Sequence, residues 1–99
     1  MNSKFKMWSL YPFIARDVAV WVPESISSED VAKVIRENMG EMVIKGPDIF
    51  DKFKKANQIS FAFRLVFQSY DRTLTDTEVN EIMAKITNKI KENHGWQVR

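Results

Sequence analysis

The chain contains no cysteine, and its 99 residues include only three glycines and three prolines. The lack of cysteine excludes disulfides, thiolate metal sites and a cysteine nucleophile. Because the glycines are scattered, there is no glycine-rich loop that could bind phosphate. No apolar run approaches the about 18 residues of a membrane-spanning helix, and the first residues lack the apolar segment of a signal peptide. These absences predict a soluble, cytoplasmic protein without a membrane partner.

Length and charge further limit the number of domains and the kinds of binding site that the chain can have. A chain of 99 residues suffices for one domain with a core, but not for two. The net charge of +2 permits a nucleic-acid partner without predicting one. The single histidine, His94, follows a predicted helix, where exposure or a contact with the helix end is expected. With no second histidine or cysteine, we expect no metal site and no catalytic residue.

The most regular pattern is the period-two alternation of residues 59–68. One face carries the apolar residues Ile59, Phe61, Phe63, Leu65 and Phe67, and the other carries Ser60, Ala62, Arg64, Val66 and Gln68. Such alternation predicts a strand in a sheet that is covered on one side only. The phenylalanines of this strand could instead stack on bases, as in RNA-recognition domains, but five apolar residues on one face favour a core.

Two segments begin with the same helix-start signal. Ser27 and Thr75 are the predicted N-caps, and Asp30 and Glu78 stand three residues later to complete a capping box. Apolar residues then recur at helical spacing, in the first helix at Val31, Val34, Ile35 and Met39 and in the second at Val79, Ile82, Met83, Ile86 and Ile90. Between the sheet and the second helix, Asp71 and Arg72 predict a turn with an ion pair rather than a catalytic unit.

Three further strands complete the predicted order. They are expected at residues 16–22, at 41–53 with a break at Gly46 and Pro47, and at 96–99, with a basic turn at 54–57. The order strand, helix, strand, strand, helix, strand predicts an α+β fold, a ferredoxin-like βαββαβ sandwich with a four-stranded antiparallel sheet and two helices on one face. Residues 1–11 are expected to form an arm, a linker or a short extra strand.

Three segments resemble one known family, the ferredoxin-fold anticodon-binding domain. They are Pro12-Phe13 with Arg16-Asp17-Val18-Ala19-Val20, then Ser60-Phe61-Ala62-Phe63-Arg64-Leu65, and Asp71-Arg72-Thr73-Leu74-Thr75-Asp76 with Glu78-Val79-Asn80. The resemblance implies that residues 12–99 are the C-terminal domain of a phenylalanyl-tRNA synthetase and bind the anticodon region of phenylalanine tRNA. The other domains and the alpha subunit of that enzyme would be its partners. ATP and Mg would act elsewhere in the parent enzyme, and this domain would be non-catalytic, with no cofactor.

The resemblance also implies a set of tRNA-binding residues: Ala19, Asp51, Phe53, Ser60 and Arg99. Phe53 stands where the family usually has tyrosine, so it keeps a stacking ring but loses a hydroxyl. Alternation places Ala19 and Ser60 on the uncovered face, where two small residues leave room for a base. Ile49, Asp51 and Phe53 share a parity, which predicts that they project together.

A second function stays open on the residues alone. The chain could be a ferredoxin-like regulatory or protein-interaction domain that uses the same open face. Phe53 and Trp21 would then pack against another domain instead of a base. The lysines at positions 45, 52, 54 and 55 fit either a solvated edge or contacts with tRNA phosphate.

Overall fold

Residues 12–69 and 71–99 are described by a computed structural model of the chain. In this part of the chain the order of elements is β1 (Ile14–Pro23), α1 (Ser28–Asn38), β2 (Val43–Lys55), β3 (Gln58–Phe67), α2 (Asp76–Lys91) and β4 (Gln97–Val98). This confirms the predicted order. The arm or extra strand expected at residues 1–11 lies outside the described residues.

The four strands form one antiparallel sheet in the order β2-β3-β1-β4. Strands β1 and β3 are the central pair. Their register sets Val20 opposite Phe61 and Ala19 opposite Ala62. Since residues directly opposite in an antiparallel pair share a face, the apolar positions of both strands lie together on one side. The sheet therefore has one apolar and one mixed face, as the ferredoxin-like prediction requires.

The core lies between the apolar face and the two helices. Its buried members include Val18, Val20 and Val22 of β1, Phe61, Phe63, Leu65 and Phe67 of β3, Val31 and Ile35 of α1, and Val79, Ile86 and Ile90 of α2. Only 3% of Phe61 and 2% of Phe63 is exposed. Burying each such side chain stabilises the fold by about 1.5–3 kcal/mol. These rings are core, and they cannot serve as base-stacking platforms.

Both predicted capping boxes are present. The Asp30 amide donates to Ser27 Oγ at 3.2 Å, and the Ser27 amide donates to Asp30 Oδ2 at 3.1 Å. In α2 the Glu78 amide donates to Thr75 Oγ1 at 3.2 Å, and the Thr75 amide donates to Glu78 Oε2 at 2.8 Å. Each box satisfies backbone donors that a helix start otherwise leaves without a partner. The helices therefore begin where the sequence pattern placed them.

The turn before α2 carries an ion pair that joins Arg72 to Glu78 of the capping box, rather than to the adjacent Asp71. Arg72 Nη2 lies 2.5 Å from Glu78 Oε1. This contact, together with the amide of Thr75, holds the pKa of Glu78 at about 2.

Among the described residues, no helix is both long and apolar enough to cross a lipid bilayer.

The hairpin between β2 and β3 differs from the sequence prediction. The basic turn expected at residues 54–57 is wrong, because Lys54 and Lys55 belong to β2 and pair with Ile59 and Gln58. Only residues 56–57 form the turn, with Ala56 in the left-handed region at a φ of 53°. Lysines suit an edge strand, since their charge opposes pairing with another chain.

A bulge in β2 overturns a second prediction. Ile49 pairs with Phe63 and Asp51 pairs with Ala62, so Phe50 is an extra residue with no partner across the ladder. The bulge reverses the alternation at this point. Ile49 therefore lies on the helix side of the sheet with Phe63, and the prediction that it shares a face with Asp51 and Phe53 is wrong. Asp51 and Phe53 do share the open face.

Candidate nucleic-acid interface

The open face of the sheet is the side away from the two helices. Its central rows are formed by the cross-strand pairs of β1 and β3, with Asp17 opposite Arg64, Ala19 opposite Ala62 and Trp21 opposite Ser60. None of these six residues belongs to the core cluster of the described chain. Side chains on this face can therefore serve recognition without removing a contact that holds the helices.

One end of the open face carries two aromatic rings. Trp21 of β1 and Phe53 of β2 both lie opposite Ser60, one on each side of it. Their ring centroids are 6.0 Å apart and their planes cross at 73°, an edge-to-face contact. Phe53 remains 53% exposed. The contact with Trp21 orients the Phe53 ring, and the exposed area leaves it able to stack on a planar group.

Arg99 joins the same end through three contacts. Its backbone amide donates to the Ala19 carbonyl at 2.8 Å, which extends the pairing of β4 with β1 by one residue. Its Nη1 donates to Ser60 Oγ at 3.0 Å. Its guanidinium carbon lies 5.8 Å from the centroid of the Trp21 ring, within cation–π range. A cation is thereby held beside the two aromatic rings.

Ser60 does not form the open floor that its small size predicted. Only 1% of the residue is exposed, since Trp21 and Phe53 flank it and Arg99 is bonded to its hydroxyl. The physical reason is that a small residue between large cross-strand neighbours is covered by them. In this structure Ser60 orients Arg99, and Ala19 is the less enclosed of the two small residues.

Asp51 lies on the same face, two residues before Phe53 on β2. It is exposed and opposite Ala62. The Lys52 amide donates to its Oδ1 at 2.9 Å, and no described residue donates to its Oδ2. A carboxylate oxygen with this freedom can accept from the donor edge of a base such as guanine. All five residues implied by the resemblance therefore lie on the open face, at one end of the sheet.

A second cluster on this face was missed by the sequence reasoning. Arg64 Nε and Nη2 donate to the two carboxylate oxygens of Asp17 at 2.8 and 3.1 Å. This bonding lowers the pKa of Asp17. The Arg64 guanidinium also lies over the ring of Phe50, 4.7 Å from its centroid. The missed residue is Phe50, because strict alternation from Asp51 assigns it to the other face and no local signal marks the bulge.

The edge strand adds positive charge beside the open face. Lys45 forms an ion pair with Asp48 at 3.2 Å, and Lys54 with Glu24 at 3.6 Å. Lys55 on the open face and Lys52 on the helix side are both exposed and form no ion pair with the described residues. Exposed cations of this kind attract a polyanion with an energy that falls as salt is added.

Other parts of the described chain offer less to a ligand. A groove of about 410 Å³ lies on the helix side, with the Arg72–Glu78 ion pair in its wall, and is remote from the open face. His94 is exposed after the end of α2. Residues 12–69 and 71–99 contain no cluster of three histidine, cysteine, aspartate or glutamate side chains that could bind a metal.

The sequence of the chain is similar to those of known proteins. A relative from Trichormus variabilis, a phenylalanine–tRNA ligase beta subunit, is 37% identical over 96% of this chain. The chloroplastic/mitochondrial phenylalanine–tRNA ligase of Arabidopsis thaliana is 31% identical over the whole chain. The chain spans 12% of the length of the first and 23% of the second. The model of the ferredoxin-fold anticodon binding domain matches residues 9–99, and the chain belongs to this family.

Proposed function

We propose that this domain binds the anticodon region of phenylalanine tRNA as the C-terminal domain of a phenylalanyl-tRNA synthetase. The observation that carries the proposal is the cluster at one end of the open face. All four strands contribute to this cluster: β1 supplies Trp21, β2 supplies Phe53, β3 supplies Ser60, and Arg99 directly follows β4. A stacking ring next to an oriented cation is a combination that proteins commonly use to recognise single-stranded RNA.

Each residue has a distinct part in the proposed complex. A base stacks on the exposed Phe53 ring, which Trp21 holds edge-on; such stacking contributes about 1–3 kcal/mol. Asp51 accepts from the donor edge of that base and favours guanine. Arg99, oriented by Ser60 and by the Ala19 carbonyl, bonds to phosphate or to a base edge. Because Phe53 lacks the tyrosine hydroxyl, stacking rather than hydrogen bonding is its contribution.

The domain supplies recognition within a larger enzyme. The aminoacylation of tRNA, with its ATP and Mg, belongs to the remainder of such a synthetase, whose other domains and alpha subunit are the expected partners. Residues 12–99 form the tRNA-binding domain, and residues 1–11 lead into it. For a bacterial beta subunit the compartment is the cytoplasm, whereas the Arabidopsis thaliana relative is named as chloroplastic/mitochondrial.

The proposal is tested by titrating the 99-residue chain with two RNA stem-loops. One carries the anticodon of phenylalanine tRNA and the other a different anticodon, and each is measured at two salt concentrations. We expect tighter binding of the first at both salts. Phe53→Ala should lose about 1–3 kcal/mol of that affinity. Ile49→Ala, an exposed apolar side chain of the same strand on the helix side, is the matched control and should bind as the parent does.

Two outcomes would contradict the proposal. Equal binding of both stem-loops that disappears at the higher salt would show attraction by charge alone. Absence of binding to either RNA would leave the open face to a protein contact, in which Trp21 and Phe53 pack against another domain.

A further inference from the structure

The open face holds a further exposed aromatic ring outside the cluster of Trp21, Phe53, Ser60 and Arg99, here called the Phe53 cluster. Phe50 is 51% exposed, although it lies in the middle of a strand. It is the extra residue of the bulge between Ile49 and Asp51. Regular pairing would have given this position a cross-strand neighbour, and the bulge instead turns the side chain toward Arg64. Bulges are used to redirect a side chain in this way.

The Phe50 ring has a fixed partner. The guanidinium of Arg64 lies 4.7 Å from the ring centroid and is held by two hydrogen bonds to Asp17. A bidentate contact fixes the plane of a guanidinium, which then presents a flat surface beside the ring. Arg64 and Asp17 are themselves about half exposed, with side-chain exposures of 52% and 46%. The pair of Phe50 and Arg64 is thus an ordered, planar and accessible surface.

The distance between the two aromatic positions suits a nucleotide strand. Phe53 lies opposite Ser60, and the Phe50 ring contacts Arg64, four residues further along β3. Phe50 and Phe53 are themselves three residues apart on β2, so at about 3.3–3.4 Å per residue their backbone positions are about 10 Å apart. That is about three nucleotides at the 3.4 Å rise of a stacked strand, and fewer when the bases are splayed apart. Between them lie Ala19 and Ala62, which add little bulk.

We propose that Phe50, backed by Arg64 and Asp17, is a second base-stacking position, which takes another nucleotide of the RNA loop that binds at Phe53. The inference rests on the proposed function. Two features favour RNA over a protein segment. The Phe50 position is continuous with the Phe53 cluster across the alanine pair. Lys55, which lies opposite Gln58 and therefore on the open face, also lacks an ion-pair partner among the described residues and complements phosphate.

The experiment pairs protein variants with RNA variants. The 99-residue chain, Phe50→Ala and Phe53→Ala are each titrated with the phenylalanine anticodon stem-loop and with stem-loops in which one loop nucleotide at a time is abasic. We expect Phe50→Ala to weaken binding of the unmodified stem-loop by about fivefold or more. At one loop position, removing the base should weaken binding to the parent protein but should cause no further loss of affinity for the Phe50→Ala variant. The position that couples in this way to Phe53→Ala should be a different nucleotide.

Controls separate a base contact from a structural effect. Phe50→Tyr, which keeps the ring, should retain the affinity, and Ile49→Ala should bind as the parent does. If Phe50→Ala binds like the parent while Phe53→Ala is weakened, this inference is overturned and the proposed function stands. If the affinity lost in Phe50→Ala adds to the affinity lost at every abasic position, Phe50 touches no base and the inference is again overturned. If the parent binds no stem-loop, both proposals fail together.

Discussion

Replacing Phe63 or Phe53 by alanine removes the same ring from opposite faces of the sheet. Phe63 is 2% exposed and belongs to the core, whereas Phe53 is 53% exposed on the open face. A buried phenylalanine hides about 150–250 Å². At about 25 cal/mol per Å² this corresponds to about 4–6 kcal/mol as an upper bound. Measured losses for such replacements are about 3–5 kcal/mol, and we expect that loss for Phe63→Ala.

For Phe53→Ala the expected loss of stability is about 1 kcal/mol or less. About half of the ring is already in water, and the space it leaves is open to solvent, so no cavity forms. The Phe53→Ala substitution should instead lower the affinity for RNA, which the titration described above measures. Urea denaturation of both variants gives the two free energies of unfolding. Because a loss of 3–5 kcal/mol is a large part of a small domain's stability, the less destabilising variant Phe63→Leu is measured as well.

The result that would refute the reasoning is a comparable loss of stability in both variants, or a larger loss in Phe53→Ala. Either result would mean that the helices cover the face that carries Ala19 and Ser60. Reduced RNA affinity in a folded Phe63→Leu variant, with unchanged affinity in Phe53→Ala, would lead to the same conclusion.

Three further expectations concern the helix start and the edge strand. Thr75→Ala removes an N-cap and should cost about 1 kcal/mol in urea denaturation; an unchanged midpoint would argue against the cap. The pKa of Glu78 is held at about 2, below its ordinary 4.5, mainly by Arg72. Its contribution to stability is therefore complete above pH 4.5 and is lost as the pH falls toward 2, so Glu78→Gln should show a smaller decline in acid denaturation. In Gly46→Ala, a Cβ would lie 2.4 Å from a backbone oxygen of β3, whereas at Gly40, also with positive φ, it would meet nothing within 4 Å. Gly46→Ala should thus lower the thermal midpoint more than Gly40→Ala does, and equal shifts would contradict the close approach.

Much of the fold could be predicted because its signals are local. The alternation of residues 59–68 indicates which side of β3 is buried, since side chains of a strand point to opposite faces in turn. The capping boxes at Ser27 and Thr75 lie within four consecutive residues each, so the starts of both helices can be recognised without knowledge of the rest. The strand and the second capping box also belong to segments that carry the resemblance to the family, which helped to identify the family from the sequence.

Strand β2 shows what local patterns could not provide. As an edge strand it is exposed along nearly its whole length, so it has no apolar alternation from which to infer a face. Where its ladder shifts by one residue depends on pairing with β3, and that shift alone moves Ile49 to the helix side and Phe50 toward Arg64. A bulge is a property of two strands together, and one strand's sequence does not contain it.

For the candidate site, too, local sequence patterns predicted one part and the pairing of distant strands decided the other. Chain order and alternation placed Ala19 and Ser60 on the uncovered side, before any contact was known. That Arg99 bonds to Ser60, 39 residues away in the chain, and lies over Trp21 was decided by the pairing of β4 with β1. The sequence by itself determined which residues are core and where the helices begin, because those choices depend on near neighbours. The tertiary structure decided which exposed side chains meet, because strands distant in sequence bring them together.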